Sequence, residues 1–351
     1  MYNLSCVDGY RFGDVYVLDI QRLSAGLSAI SSDQKLSLFD PSRVGQGPIK
    51  SYQTNHGNLT CLKTFDWQNS VVCTAGENGE VSVWDMREAS KPQVAHFAAT
   101  QSPILSMACD PRSNTIALGT EFQNHMASVL LWDIRAGPKQ RLQYDEVHSD
   151  DVTELRFHPS ESHILLSGST DGLVNVYDTR ISDEDEVVVQ TLNQGSVHHA
   201  SFLSNTEVYV LTHDEKLAVY SVAEDCGSGA ALVDFGDARE TLGCQYIANM
   251  TTKVDGSGAI VGAGSQEYVF FACDLRLMLG SVTNKRNSRQ VFELVHLSRT
   301  AEGSWGFDRA NSVGLPGGHG EEIIRSFCFY DDEQVVFTAG EDGNIKAWRP
   351  T

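Results

Sequence analysis

Two spaced sets of residues have the composition of a nucleophile, a base and an orienting acid. They are His148, Ser167 and Asp171, and His319, Thr338 and Asp342. Such a trio can pass a proton from a hydroxyl to an imidazole whose ring a carboxylate holds in place. Catalysis needs the set once, in a cleft beside an oxyanion hole. Here it recurs in the same place of a repeated phrase, with the Asp in a turn before Gly172 or Gly343. Repetition points to structure. The imidazole bridges the carboxylate and the hydroxyl, which passes the bond on to Tyr177 or Trp348. A buried polar chain of this kind is tolerated only when every member is satisfied. A third copy has His56 and Thr74 but Asn78 in place of the acid. No catalytic residue is expected from these sets, and the protein is expected not to be an enzyme.

The elements that hold them are strands. The phrase appears as TAGENGEVSVWD at 74–85, SGSTDGLVNVYD at 167–178 and TAGEDGNIKAW at 338–348. Weaker copies are SSDQKLSLFD at 31–40, THDEKLAVYS at 212–221 and SVLLWD at 128–133. Each reads as strand, tight turn, strand, closing on Phe39, Trp84, Trp132, Tyr177, Tyr220 or Trp348. A period of about 40–45 residues with this signature means a propeller of four-stranded blades. The expectation is an all-β, seven-bladed β-propeller that uses residues 1–351 as one ring. Blade 6 is the most degenerate copy, with strands expected at Ala259–Gly264 and Tyr268–Cys273. The chain ends just after Trp348, so blade 7 (319–349) lacks an outer strand. Residues Asn3–Val7 are expected to supply it, which removes a sheet edge. Insertions are expected at 276–290, a basic island, and at 300–318, where Trp305 and Phe307 would tuck into the groove between blades 6 and 7.

Lys+Arg number 26 against Asp+Glu 46, a net charge of −20. Direct nucleic-acid binding is not expected, because that affinity comes from clustered cations. No apolar run reaches the roughly 18–20 residues of a membrane span. The eight cysteines form no CxxC pair and no metal-ligand spacing, so neither metal nor cofactor is expected. They read as small buried hydrophobes in a reducing compartment.

The phrases HSDDVTELRFHPS at 148–160 with SGSTDGLVNVYD, THDE at 212–215 and GGHGEEIIRSF at 317–327 with AGEDGNIKAW resemble the WD40-repeat family. The combination is similar to the narrower WD repeat-containing protein 89 family. That resemblance implies an intracellular interaction protein of nucleus or cytoplasm. The chain itself is expected to be a monomer within a larger complex.

In a propeller the D–A and B–C loops share the top face. Alignment on VTELRF places Tyr16, Thr60, Leu105, Thr153, His198, Gly243 and Arg325 around the channel mouth there. They read either as a recognition surface or as solvent-lined positions. The surrounding loops are acidic, with Asp150, Asp151, Glu321 and Glu322 prominent. Such a rim suits a Lys/Arg-rich protein segment; the alternative is that it serves solubility. The leading function is a non-catalytic scaffold or escort for a basic segment. A second reading is a substrate receptor of a cullin-type ubiquitin ligase. It rests on WDMR at 84–87, WDIR at 132–135 and YDTR at 177–180, which resemble a Trp-Asp-x-Arg adaptor-docking pattern.

Overall fold

A computed structural model describes residues 2–223, 229–253, 255–265 and 291–350. Among the described residues the strands form seven sheets. Blade 1 runs outward from the channel as Val17–Leu23, Gly26–Ser31, Lys35–Phe39 and Lys50–Gln53 (strands A to D). Blades 2 to 5 repeat the pattern, with A strands at Leu59–Asp66, Ile104–Asp110, Val152–Phe157 and Val197–Phe202. Neighbouring strands within each of these blades are antiparallel, as short turns between them require. The result is a seven-bladed β-propeller.

Blade 7 holds Ile324–Tyr330, Val335–Gly340 and Asn344–Arg349. Its outer strand is Ser5–Arg11, antiparallel to Asn344–Arg349 with Cys6 opposite Trp348. The residues just before it do something the repeat does not announce. Tyr2–Asn3 lies parallel to the outer strand of blade 6, with Tyr2 opposite Val313. Leu4, between the two strands, is buried with Phe292, Leu315, Phe327 and Trp348.

Blade 6 departs from expectation. Its strands are Tyr246–Thr252, Gly258–Ser265, Val291–Arg299 and Trp305–Pro316. The segment 300–318, expected as an insertion, therefore carries the outer strand of the blade. Trp305 is buried as expected, but its cluster joins blades 5 and 6, with Tyr209, Leu217 and Val295. Phe307 packs on Phe235, ring centroids 4.7 Å apart. The strand expected at Tyr268–Cys273 and the basic island 276–290 lie outside the described residues.

The core is not central. Seven apolar clusters occur among the described residues, one at each blade boundary. Each blade buries both faces against its neighbours, and so the hydrophobic stabilisation is shared around a closed ring.

Candidate functional site: the channel mouth and the acidic top

The repeated polar sets sit inside blades. His148 Nδ1 lies 2.9 Å from Asp171 Oδ2, and its Nε2 lies 2.6 Å from Ser167 Oγ. Ser167 in turn lies 2.6 Å from the Tyr177 hydroxyl. In blade 7 His319 meets Asp342 and Thr338, and Trp348 Nε1 donates to Thr338 Oγ1 at 2.8 Å. Ser167 and Thr338 have no exposed surface, so no substrate reaches either hydroxyl. The Asp immediately precedes the glycine that the turn needs. Gly343 has φ +72°, and a Cβ there would lie 2.6 Å from two backbone oxygens, so only glycine fits. Burial works against the Asp171 and Asp342 charges, but the hydrogen bonds and charge attraction of His148 and His319, added to bonds from turn amides, together hold both carboxyls below their ordinary range. In blade 2 His56 Nδ1 makes no hydrogen bond of good geometry; burial outweighs the nearby Asn78 amide and pushes that imidazole down to about 4.

The channel mouth is built by a device that recurs in every blade. Each A strand shifts register near its start, between Val17 and Asp19, Leu59 and Cys61, Ile104 and Ser106, Val152 and Glu154, Val197 and His199, Ile247 and Asn249, and Ile324 and Ser326. A bulge re-aims the extra side chain. The seven extra residues are Leu18, Thr60, Leu105, Thr153, His198, Ala248 and Arg325. All seven line a central cavity of about 1400 Å³. Five of these positions match the sequence alignment. Two do not. In blade 1 the position belongs to Leu18, whereas Tyr16 lies outside the channel, beside a smaller cavity of about 700 Å³ with Arg11, Glu322 and Glu341. In blade 6 it belongs to Ala248, whereas Gly243 caps the short helix Ala238–Leu242 in the left-handed conformation.

Several mouth residues already have work within the ring. Thr60 Oγ1 donates to the Ile104 carbonyl at 2.6 Å and Thr153 Oγ1 to the Val197 carbonyl at 2.6 Å, each tying one A strand to the next. Arg325 pairs with Glu341 at 2.7 Å. His198 stacks between His199 and His213, with centroids 4.1 and 5.0 Å away. Burial, then those two neighbours, push its imidazole down to about 3.

Below the mouth the channel is charged. Glu154 accepts from His199, Nδ1 to Oε2 3.1 Å, and lies 3.3 Å from Arg156. Burial opposes its charge, but Arg156 and Lys63 hold the carboxyl down to about 2. Burial raises the Asp19 carboxyl despite Lys63 and the hydrogen bond from Ser326. No group of three or more His, Cys, Asp or Glu able to hold a metal occurs among the described residues.

The acid of the top face is paired unevenly. On blades 5 and 7 two carboxylates are neutralised at home, Asp237 by Arg239 and Glu341 by Arg325, each pair at 2.7 Å, while Asp214 and Glu240 of blade 5 have no ion pair among the described residues. On blades 3 and 4 no such pairing is found among the described residues. Asp145 takes its hydrogen bonds from Ser128 and Gln143, Asp150 from the Asp151 amide, and Asp151 from the Phe122 amide. Among the described residues Glu121, Asp145, Glu146, Asp150 and Asp151 have no ion pair. Glu321 and Glu322 are exposed in the loop leading to blade 7. Part of the acidic run 182–186, in the C–D connection of blade 4, forms a helical turn, and Glu184 Oε2 accepts the amides of Asp145 and Glu146 at 2.9 and 2.8 Å.

The arginines of the Trp-Asp-x-Arg-like phrases are half or more exposed. Each pairs with the Asp two residues before it: Arg87 with Asp85, Arg135 with Asp133 and Arg180 with Asp178. They brace the C–D connections of their own blades.

Fold and mouth together define a closed propeller presenting a top-face channel. The family model described as Nucleolar protein 10-like, N-terminal domain, matches residues 18–276. The WD domain, G-beta repeat model matches 311–349. The chain belongs to the WD40-repeat family. It is 30% identical to an uncharacterized WD repeat-containing protein of Saccharomyces cerevisiae, across 99% of this chain and 82% of that one. It is 26% identical to the WD repeat-containing protein 89 homolog of Dictyostelium discoideum, across 68% and 63% of the two chains. A chain of the mitotic checkpoint complex crystal structure superposes with a TM-score of 0.69, covering 99% of this chain and 93% of that one at 15% identity. That last likeness is one of fold.

Proposed function

We propose that this protein is a non-catalytic interaction platform whose acidic top face holds a Lys/Arg-rich segment of another protein within a larger assembly. The observation that carries the reading is the sorting of charge. Arg239 and Arg325 each neutralise one acid of blades 5 and 7, while the five carboxylates clustered on blades 3 and 4 have no ion pair among the described residues. Unpaired like charge on one arc destabilises the free protein slightly and favours a basic partner, chiefly by raising its on-rate. The match to a domain of a nucleolar protein supports residence in the nucleus.

The test is charge reversal at Glu146 and Asp150, with Glu321 and Glu322 reversed separately. Asp151 is left intact because it holds the Phe122 amide. Binding of a lysine-rich peptide is measured across a salt series. The expected result is weaker binding and a shallower salt dependence for the blade 3–4 variant. Unchanged affinity and slope in both variants would discard the reading.

A further inference from the structure

Among the described residues, blade 3 alone carries a hairpin finger in its B–C turn, beside the acidic arc. Gln123 and Met126 exchange both backbone hydrogen bonds, at 2.9 and 3.0 Å. Asn124 and His125 between them have φ of +53° and +67°. Two left-handed residues make the tight primed turn that suits a twisted hairpin. His125 in that conformation is uncommon, and the base of the finger holds it from both sides. The Glu121 amide donates to the Pro103 carbonyl at 2.9 Å, and the Phe122 amide to Asp151 Oδ1 at 2.7 Å. The Ser128 amide donates to Thr120 Oγ1 at 2.8 Å.

This braced finger puts apolar groups into water. Phe122 is 37% exposed and Met126 48%. Both types are enriched at protein interfaces. Carboxylates without ion pairs stand at the base of the finger: Glu121 precedes Phe122, Asp151 accepts the Phe122 amide and Asp145 accepts from Ser128, with Glu146 and Asp150 next to these in sequence. An apolar tip that is held rigid before binding loses little freedom on binding, which is how a short anchor becomes strong.

We infer that the finger is the apolar anchor of the interaction surface. Phe122 and Met126 insert among aliphatic side chains of a partner segment whose flanking lysines or arginines reach the surrounding carboxylates. The occupant is thus an amphipathic basic segment with leucine-like anchors, and a uniformly basic tail fits less well. This rests on the acidic-face reading and adds the anchor to it.

The experiment uses the full chain and two synthetic peptides with equal numbers of lysines. One places leucines along one face; the other has serines at those positions. Affinity for both is measured by fluorescence anisotropy at low and moderate salt, for the native chain, for Phe122→Ser with Met126→Ser, and for Glu146→Lys with Asp150→Lys. Thermal melting checks that the variants fold. The expected result is that the leucine peptide binds about tenfold tighter or more. The serine substitutions should remove that advantage and leave the salt-dependent binding of the serine peptide intact. If both peptides bind alike, or if the leucine advantage survives the serine substitutions, the finger is not the anchor although the acidic face stands. If neither peptide binds in a salt-dependent way, both readings fall.

Discussion

Thr338 and Trp348 face each other across adjacent strands of blade 7, hydroxyl to indole, at 2.8 Å. The same hydroxyl meets His319 Nε2 at 2.8 Å. One oxygen thus joins a loop, a strand and the last aromatic of the repeat. Thr338→Val keeps the shape and removes the oxygen, which leaves a buried indole N–H and an imidazole nitrogen without partners. We expect a loss of about 2–4 kcal/mol in urea denaturation. Ser167→Ala in blade 4 should behave alike.

Blade 2 offers the reverse experiment. Asn78 stands where blades 4 and 7 have Asp, and it donates to Glu80 at 2.7 Å. Asn78→Asp alone would give His56 Nδ1 an acceptor but set two carboxylates together. It should be neutral or destabilising. Paired with Glu80→Asn it copies Asp342 and Asn344, where the amide of Asn344 donates to the acid. The double variant is expected to be about 1 kcal/mol more stable than the single one, read from paired denaturation midpoints.

Acid should weaken the fold well above the carboxylate range. His56 and His198 sit folded at about 4 and about 3, against 6.5 for the free imidazole. Both stay neutral when folded, whereas the unfolded chain takes up protons below about 6.5. Their contribution is therefore complete above pH 6.5 and is lost as pH falls through the folded values. Each is worth about 1–2 kcal/mol between pH 7 and pH 5. His198→Asn should flatten that slope, as measured by denaturation at the two pH values. An unchanged slope would mean that this imidazole is not the titrating group.

Thr60 and Thr153 separate a structural role from a binding one. Each bonds the carbonyl of the next blade. Thr60→Val and Thr153→Val should each lose about 0.5–1.5 kcal/mol, and the losses should add because the two boundaries are distant. Binding of a lysine-rich peptide should not change by more than the loss of folded protein explains.

Removing residues 1–8 takes away Leu4 and the start of the blade 7 outer strand. The melting temperature should fall sharply, with aggregation on an open sheet edge, followed by thermal scanning and size-exclusion chromatography. An unchanged melt would show that the ring closes without this strand.

The sequence was clearest where local chemistry repeats. Asp171 before Gly172 and Asp342 before Gly343 mark their turns, and the aromatic ten residues after Ser167 and Thr338 marks the strand that follows. Blade 6 has neither signal. Its third strand, Val291–Arg299, is apolar with little polar alternation, and its fourth begins at a tryptophan that reads as a loop anchor until Tyr209 and Val295 are seen packed around it. The mouth was legible wherever the A strand follows a regular D–A loop. In blade 1 the position lies two residues beyond the aligned one, because no His precedes the A strand to fix its start, although Asp33 marks the B–C turn as Asp171 does. In blade 6 it was misread because a capped helix precedes the strand. The bulges that build the mouth have no residue signature. They follow from strand pairing, which no single segment reveals.

The pairing of Ser5–Arg11 with Asn344–Arg349, and the packing of Leu4 between blades 6 and 7, set a timetable for synthesis. On the ribosome residues 4–11 emerge well before blades 6 and 7, whose surfaces they cover, have been translated. Until then the early blades can form while the circle stays open, with an unpaired strand at each end. Such long-range closure is slow, and an open edge invites the neighbouring nascent chain. The interval between translating Leu4 and translating Trp348 is the period in which these strand edges stay unpaired.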